Sequence, residues 1–184
     1  NHPDTPSFQY ADFRRWQSAQ PVIWEGEETR PLPGFEPGFN WNATDLSDDG
    51  KIVTGVRWPH GEHRNGIGSQ AFLWHAGQVT LLEPLSGCVS PSAAGISGDG
   101  RIIVGSCEHL RRGTWEIVAL VWDVEHGTFD LQQWLARKGV ALNWRLQHTR
   151  AISRDGSTII GVGINPQGHQ ESWRLRVPDG FFGP

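Results

Sequence analysis

The residues of this chain best equipped for chemistry gather in the stretch His60-Gly61-Glu62-His63, with His109 and His169 in comparable segments further on. Neutral imidazoles bind zinc or copper, so His60, His63 and His109 form a candidate metal set if their loops converge. The stretch is not an H-E-x-x-H motif, which needs helical spacing, because it lies among Pro and Gly. Solvated surface histidines are the competing reading, and no resident cofactor is the default expectation.

A second group is aromatic and cationic. Trp41, Trp58, Trp115, Trp134 and Trp144 occur with Arg57, Arg64, Arg111, Arg112 and Arg145, and with His148, outside any repeated motif. Indole faces beside planar guanidinium donors suit a carbohydrate or a flat or anionic small molecule. Trp41, Trp58, Arg57, Arg64, Arg111, Trp115, Trp144 and His169 are therefore the candidate ligand-binding residues. The alternative is that they pin loops to the scaffold.

Signals for catalysis are weaker. There is no G-x-S-x-G elbow and no Cys set beside a His in a recognisable context. Glu25, Glu27 and Glu28 are close in sequence, but they fall in a tight turn open to solvent, a poor place to raise a carboxyl pKa. No catalytic residue is assigned. The stretch LSDDGKIVTG, Leu46 to Gly55, looks like a carboxylate site until it returns as ISGDGRIIVG from Ile96 and ISRDGSTIIG from Ile152. A calcium loop needs a longer series of oxygen ligands. Gly in the left-handed region after an Asp that bonds its own backbone explains the motif as a hairpin turn, so Asp49, Asp99 and Asp155 read as structural.

The elements that must position these residues follow from the repeat. Ser47, Ser97 and Ser153 stand 50 and 56 residues apart, and each opens an Asp-Gly turn. A second element, AFLWHAGQVTLL from Ala71 and ALVWDVEHGTFDL from Ala119, follows the first two hairpins; PVIWEGEETRPL from Pro21 precedes them, and ESWRLRV from Glu171 is its degenerate form. One unit is thus four short strands. KIVTG, RIIVG and TIIGVG are apolar without alternation, as in strands buried on both faces, and their terminal Gly permits close backbone approach near an axis. Trp24, Trp74 and Trp122 recur at one repeat position, which predicts packing between units.

The fold expected is all-β: a β-propeller-like array of four-stranded antiparallel blades, three to four in number, with a β-solenoid or an open half-propeller as alternatives. Residues 1–184 read as one repeat domain, with units at about 21–33 (partial), 43–83, 93–131 and 149–177 (partial). The tight turns then share one end, and the long irregular connections, among them CEHLRRGTWE from Cys107 and WLARKGVALNWRLQHT from Trp134, gather at the other, where function concentrates on a rigid scaffold.

Composition agrees. Ten Trp, 23 Gly and 12 Pro with no Met fit a turn-rich β protein. A net charge of −4 with scattered basic residues argues against nucleic acid as a partner, and no apolar run is long enough to span a bilayer. The start NHPDTPSFQY, without Met or an apolar signal core, suggests a processed or trimmed form. Cys88 and Cys107 flank the second hairpin; their numbers sum to 195, whereas cross-strand partners around that turn sum to about 197. They fall nearly opposite one another, which allows a disulfide or two buried thiols.

The motifs from Ala43 to Leu82 and from Ala93 to Leu131 resemble the HAF-repeat family of bacterial extracellular proteins, whose unit runs small-x-x-Ile-Ser-x-Asp-Gly, Ile-Val-Gly, Ala-Phe-x-Trp. The segment DLQQWLARKGVALNWRLQHTRAISRDGSTIIGVGINPQGHQESW resembles the closing part of such arrays. The resemblance covers most of residues 21–177 and implies a propeller-like fold and secretion or the cell surface. It implies no activity and no catalytic residues. The functional expectation is a secreted, extracellular or periplasmic module that binds a glycan or another cell-surface component without catalysis. The alternatives are a hydrolase or metal-dependent enzyme using the histidine loops, or a structural piece that forms a homo-oligomer or has its ring completed by a second chain.

Overall fold

The structure is a computed structural model that describes residues 19–62, 68–111, 113–178 and 181–182, with the backbone alone for Arg111. His63, Arg64 and Arg112 lie outside the described residues. The described residues form thirteen strands in four antiparallel sheets. A ribbon of β1 (Val22–Glu25) and β2 (Glu28–Pro31) comes first. Sheet I holds β3 (Phe39–Leu46), β4 (Ile52–Pro59), β5 (Gln70–His75) and β6 (Gln78–Leu81), and sheet II holds β7 (Cys88–Ile96), β8 (Ile102–Arg111), β9 (Thr114–Asp123) and β10 (Gly127–Asp130). After helix α1 (Leu131–Arg137), sheet III holds β11 (Arg145–Ile152), β12 (Thr158–Ile164) and β13 (Gln170–Arg176). Sheets I, II and III are meanders, and the first strand of sheet II packs against the first strands of sheets I and III.

Alternation decides what each sheet buries. On one face of sheet I, Ala71, Leu73 and Ile52 meet Ala93, Ile96, Ile103, Leu120 and Trp122 of sheet II. The other face of sheet II, with Ile102, Val104, Ala119, Val121 and Phe129, meets Leu146, Ile152 and Ile159 of sheet III. Ile103 and Val104 are both buried although they point to opposite faces, as the unalternated RIIVG run requires. Each such aliphatic side chain contributes about 1.5–3 kcal/mol on burial. The chain is all-β and propeller-like.

The Asp-Gly hairpins hold the sheets together at one end. In sheet II the Ser97 hydroxyl donates to Asp99 Oδ1 at 2.6 Å and accepts from the Ile102 amide at 3.0 Å, while Asp99 also accepts from the Arg101 amide. The same pattern recurs at Ser47 and Ser153. Successive turns are stitched: the Asp48 amide donates to the Gly98 carbonyl at 2.9 Å and the Gly98 amide to the Arg154 carbonyl at 2.8 Å. The strand glycine has a more local reason than approach to an axis. A Cβ at Gly105 would collide with the Ser92 carbonyl of the paired strand and with the Trp122 ring, and Gly161 stands likewise against His148 and Trp173.

Three sequence expectations need correction. The segment around Cys107 to Glu116 is not a loop: β8 and β9 run on in register as far as Arg111 and Thr114. The segment from Trp134 is not wholly irregular, because α1 starts at Asp130, whose carboxylate caps the Gln133 amide at 3.1 Å, and buries Leu131 and Leu135 one turn apart. Trp24 is 73% exposed whereas Trp122 is 5% exposed, since β1 has no inner hairpin beside it among the described residues.

Candidate functional site

Where the innermost strands β3, β7 and β11 approach one another, they enclose a polar cavity of about 610 Å³. Its lining includes Asn42 and Thr44 of sheet I, Ser92, Ser106 and Glu108 of sheet II, and His148, Thr149 and Arg150 of sheet III. A β-bulge builds it. In each sheet the register slips by one residue on the inner strand, at Thr44, Ala94 and Arg150, opposite the strand glycine. Such bulges bend a strand and re-aim side chains. Here they turn non-identical residues toward one hub from a repeated frame.

Register makes the comparison direct. Asn42 pairs with Val56, Ser92 with Ser106, and His148 with Val162. The repeat fixes the backbone at these positions and leaves their chemistry free. Bonds between sheets brace the site: the Thr44 hydroxyl lies 3.2 Å from the Ala93 carbonyl, the Ile96 amide donates to Asp45 Oδ2 at 3.0 Å, and the Thr149 hydroxyl donates to the Gly105 carbonyl. Ser106 Oγ is 3.2 Å from His148 Nδ1. Partial burial, with the nearby Arg150 guanidinium, pushes His148 below the usual imidazole pKa. It is a neutral hydrogen-bonding group at pH 7, on a surface that offers hydroxyls, an amide, an imidazole, a carboxylate and a guanidinium.

Of the aromatic and cationic group singled out from sequence, His148 lines the hub, whereas the candidate ligand-binding residues that the structure describes are placed elsewhere. Trp41 is 3% exposed and stands edge-on to Phe35 and Phe72. Arg57 is equally internal: its guanidinium bonds Gln70 Oε1 at 3.0 and 2.7 Å and Glu36 at 3.2 Å, and lies over the Phe39 ring. Trp58 is buried and Trp144 packs half-buried against the sheet II–III core. Trp115 is exposed at the tip of the β8–β9 hairpin, opposite Leu110, and Arg111 ends β8 beside it. His169 is exposed in the β12–β13 turn.

His60 is exposed, and His109 Nε2 must donate to the Ser86 carbonyl at 2.8 Å, which withdraws that nitrogen from metal binding. Among the described residues no three His, Cys, Asp or Glu side chains gather as a metal site. The structure joins Cys88 to Cys107 as a disulfide with Cα atoms 5.8 Å apart. Cys88 pairs across with His109, the pair sum of 197 that hairpin counting gives, so the bridge to Cys107 runs on the diagonal.

Apart from His148, sequence reasoning passed over the hub because it sought function in unrepeated loops. The missed signal was substitution inside the repeat: Ser106 where the other units carry Val56 and Val162, and His148 where they carry Asn42 and Ser92.

Sheets and hub together define a propeller-like protein with a polar central pocket. No family model matches the chain, and no curated protein matches it. Among solved structures it is similar to "The structure of putative TolB from Agrobacterium tumefaciens", at 18% identity and a TM-score of 0.44, over 80% of this chain and 47% of that one. The chain thus spans about half the length of that structure. No helix among the described residues is long and apolar enough to cross a membrane.

Proposed function

We propose that the chain is an extracytoplasmic, non-catalytic binding module of the HAF-repeat kind, whose hub takes a glycan or a related polyhydroxylated cell-surface component. The observation that carries this reading is the break of the repeat at the hub, where equivalent positions hold Asn42, Ser92 and His148 around a cavity large enough for one or two sugar rings. Hydroxyl-rich ligands need many convergent donors and acceptors, which these side chains and Arg150 and Glu108 supply. The Cys88–Cys107 bridge supports an oxidising compartment. The arrangement is read as an open arc of three blades and the outer half of a fourth. No resident cofactor is proposed.

The test is a calorimetric titration with mono- and oligosaccharides and with cell-surface polysaccharide fragments. Saturable binding that Arg150→Ala or His148→Ala weakens about tenfold is expected, since each removes roughly one hydrogen bond to ligand. Flat titrations across the set, with the protein folded, would end this reading.

One observation favours hydrolysis as a second reading. Ser106 Oγ and a neutral His148 stand 3.2 Å apart in the same pocket, within the reach of a nucleophile and its base. Labelling by a fluorophosphonate that Ser106→Ala abolishes would support it; an unlabelled wild-type chain would dismiss it.

A further inference from the structure

On the face of β8–β9 that turns toward sheet III, cross-strand pairs follow one another in steps of two: Ser106 with Ala119, Glu108 with Ile117, and Leu110 with Trp115. Ser106 reaches His148 of sheet III, and Ser106, Glu108 and Ile117 all line the hub cavity. Leu110 and Trp115 come one step further out on the same face. At about 3.3 Å per residue, this pair stands about 13 Å along the strands from the level of Ser106.

Hairpin length brings the pair into the open. Counting from the strand glycines Gly105 and Gly161, the counterpart of Glu108 and Ile117 in sheet III is Ile164 with Gln170. There the chain turns at once, and the Asn165 amide donates to the His169 carbonyl at 2.9 Å. In sheet II the ladder continues through Leu110 with Trp115 and Arg111 with Thr114, so this hairpin overhangs its neighbour. Leu110 is 48% and Trp115 58% exposed, whereas Val104, Ala119 and Val121 on the same face are fully buried. Packing between Leu110 and Trp115 supports the ribbon but leaves more than half of the indole uncovered. From the tip inward, the row offers an indole with an isobutyl group, then the exposed Glu108 carboxylate beside Ile117, then the Ser106 hydroxyl.

We propose that this overhanging face is an outer subsite of the hub, where Trp115 stacks on the C–H face of an uncharged sugar ring, Leu110 packs at the ring's edge and Glu108 accepts from its hydroxyls. The ligand is then an oligosaccharide that runs from the hub to the hairpin tip, not a monosaccharide. The inference rests on the saccharide reading of the hub and adds the ligand's length and the nature of its outermost ring. A pyranose with equatorial hydroxyls presents an apolar C–H face to an indole and hydroxyls at its rim, which matches an aromatic ring followed by a carboxylate. Glu108 disfavours a carboxylated or sulfated ring at this place, because like charges repel at short range. An apolar peptide or a lipid chain fits less well, since covering Trp115 and Leu110 with it would desolvate Glu108 without a partner.

The test is a calorimetric titration of the full chain with N-acetylglucosamine and with its β-linked tetrasaccharide, in which every ring has such a face. Wild-type protein is expected to bind the tetrasaccharide at least about tenfold more tightly than the monosaccharide. Trp115→Ala should remove that advantage and leave the monosaccharide affinity as it was, while Trp115→Phe, which keeps a ring on the ribbon, should retain part of it. Val124→Ser, at an exposed apolar position in the β9–β10 turn, should change neither affinity, and His148→Ala should weaken both. Circular dichroism should show all four variants folded. Equal tetrasaccharide binding by wild type and Trp115→Ala, or equal wild-type affinities for the two sugars, overturns the outer subsite and leaves the hub reading standing. Loss of both sugars in Trp115→Ala makes the indole a support for the hub and also overturns it. Flat titrations with both sugars overturn the proposal, and flat titrations across the wider saccharide set end the hub reading as well.

Discussion

The hydroxyl of Ser106 and Nδ1 of His148, 42 positions apart in sequence and in different sheets, stand 3.2 Å from each other at the hub. The contact ties sheet II to sheet III through a titratable group whose folded pKa is lowered by burial and by Arg150. The unfolded chain therefore binds a proton more readily than the folded one. Stability from this site is full above the ordinary imidazole value near 6.5 and falls as pH drops below it. Urea unfolding at pH 7.5 and 5.5 is expected to show the loss, and His148→Gln should flatten that part of the profile. An unchanged slope in the variant would place the pH dependence elsewhere.

A second pH window belongs to the turns. The Ser47 hydroxyl and Lys51 amide hold Asp49 down to about 2, and the Ser153 hydroxyl and Ser157 amide hold Asp155 down to about 2. At Asp99 burial pushes upward, but the Ser97 hydroxyl and Arg101 amide outweigh it and the net shift is down. Lowered carboxyl values stabilise above the unfolded value near 4, and that stability disappears as pH falls from about 4 toward 2. The double variant Asp49→Asn, Asp155→Asn should lose less stability than the wild type across that interval in acid titrations followed by circular dichroism.

The equivalent serines should differ in cost. Ser97 is 2% exposed and bonds both Asp99 and the Ile102 amide, so Ser97→Ala strands buried partners and should cost about 1–3 kcal/mol. Ser153 sits nearer solvent, and water can replace its hydroxyl. Denaturant midpoints in which Ser153→Ala loses as much as Ser97→Ala would contradict this ordering.

Reduction of the Cys88–Cys107 bridge should lower stability by about 3 kcal/mol, the scale for cross-links closing a loop of this length, with Cys107 buried at 2% exposure. Thermal melts with and without reductant read the effect directly. Sheets I and III should keep their strand signal at 25 °C, because the bridge lies wholly within sheet II.

Arg57→Ala should destabilise by about 2 kcal/mol by removing charge-assisted bonds to Gln70 and Glu36 and the cover over Phe39, while leaving hub titrations unchanged. A loss of saccharide binding with unchanged stability would instead return Arg57 to a ligand-contacting role.

Much of the frame was legible in one dimension. The Ser-x-Asp-Gly turn is a local device: hydroxyl, carboxylate and left-handed glycine close it within five residues, and three copies reveal the repeat without any tertiary knowledge. Counting around one of those turns put the two cysteines nearly opposite one another but left a disulfide and two buried thiols both open. The helix α1 was also locally encoded, by Asp130 and by Leu131 and Leu135 one turn apart, and was hidden only by the expectation of an irregular loop.

The destination of side chains was not legible in that way. Trp41 and Arg57 have the composition of a binding surface, yet each satisfies its polar groups and rings within sheet I and the loop before it. Whether an indole stacks on solvent or on Phe72 depends on which face of which strand is covered, and that is decided between sheets. The hub is the sharper case: Asn42, Ser92 and His148 are about fifty residues apart in sequence and become neighbours only when three bulged strands converge. Strands, turns and their period are encoded locally, because hydrogen bonds and φ preferences act over a few residues; which residues share the hub emerges only on folding, because packing acts between residues the chain keeps far apart.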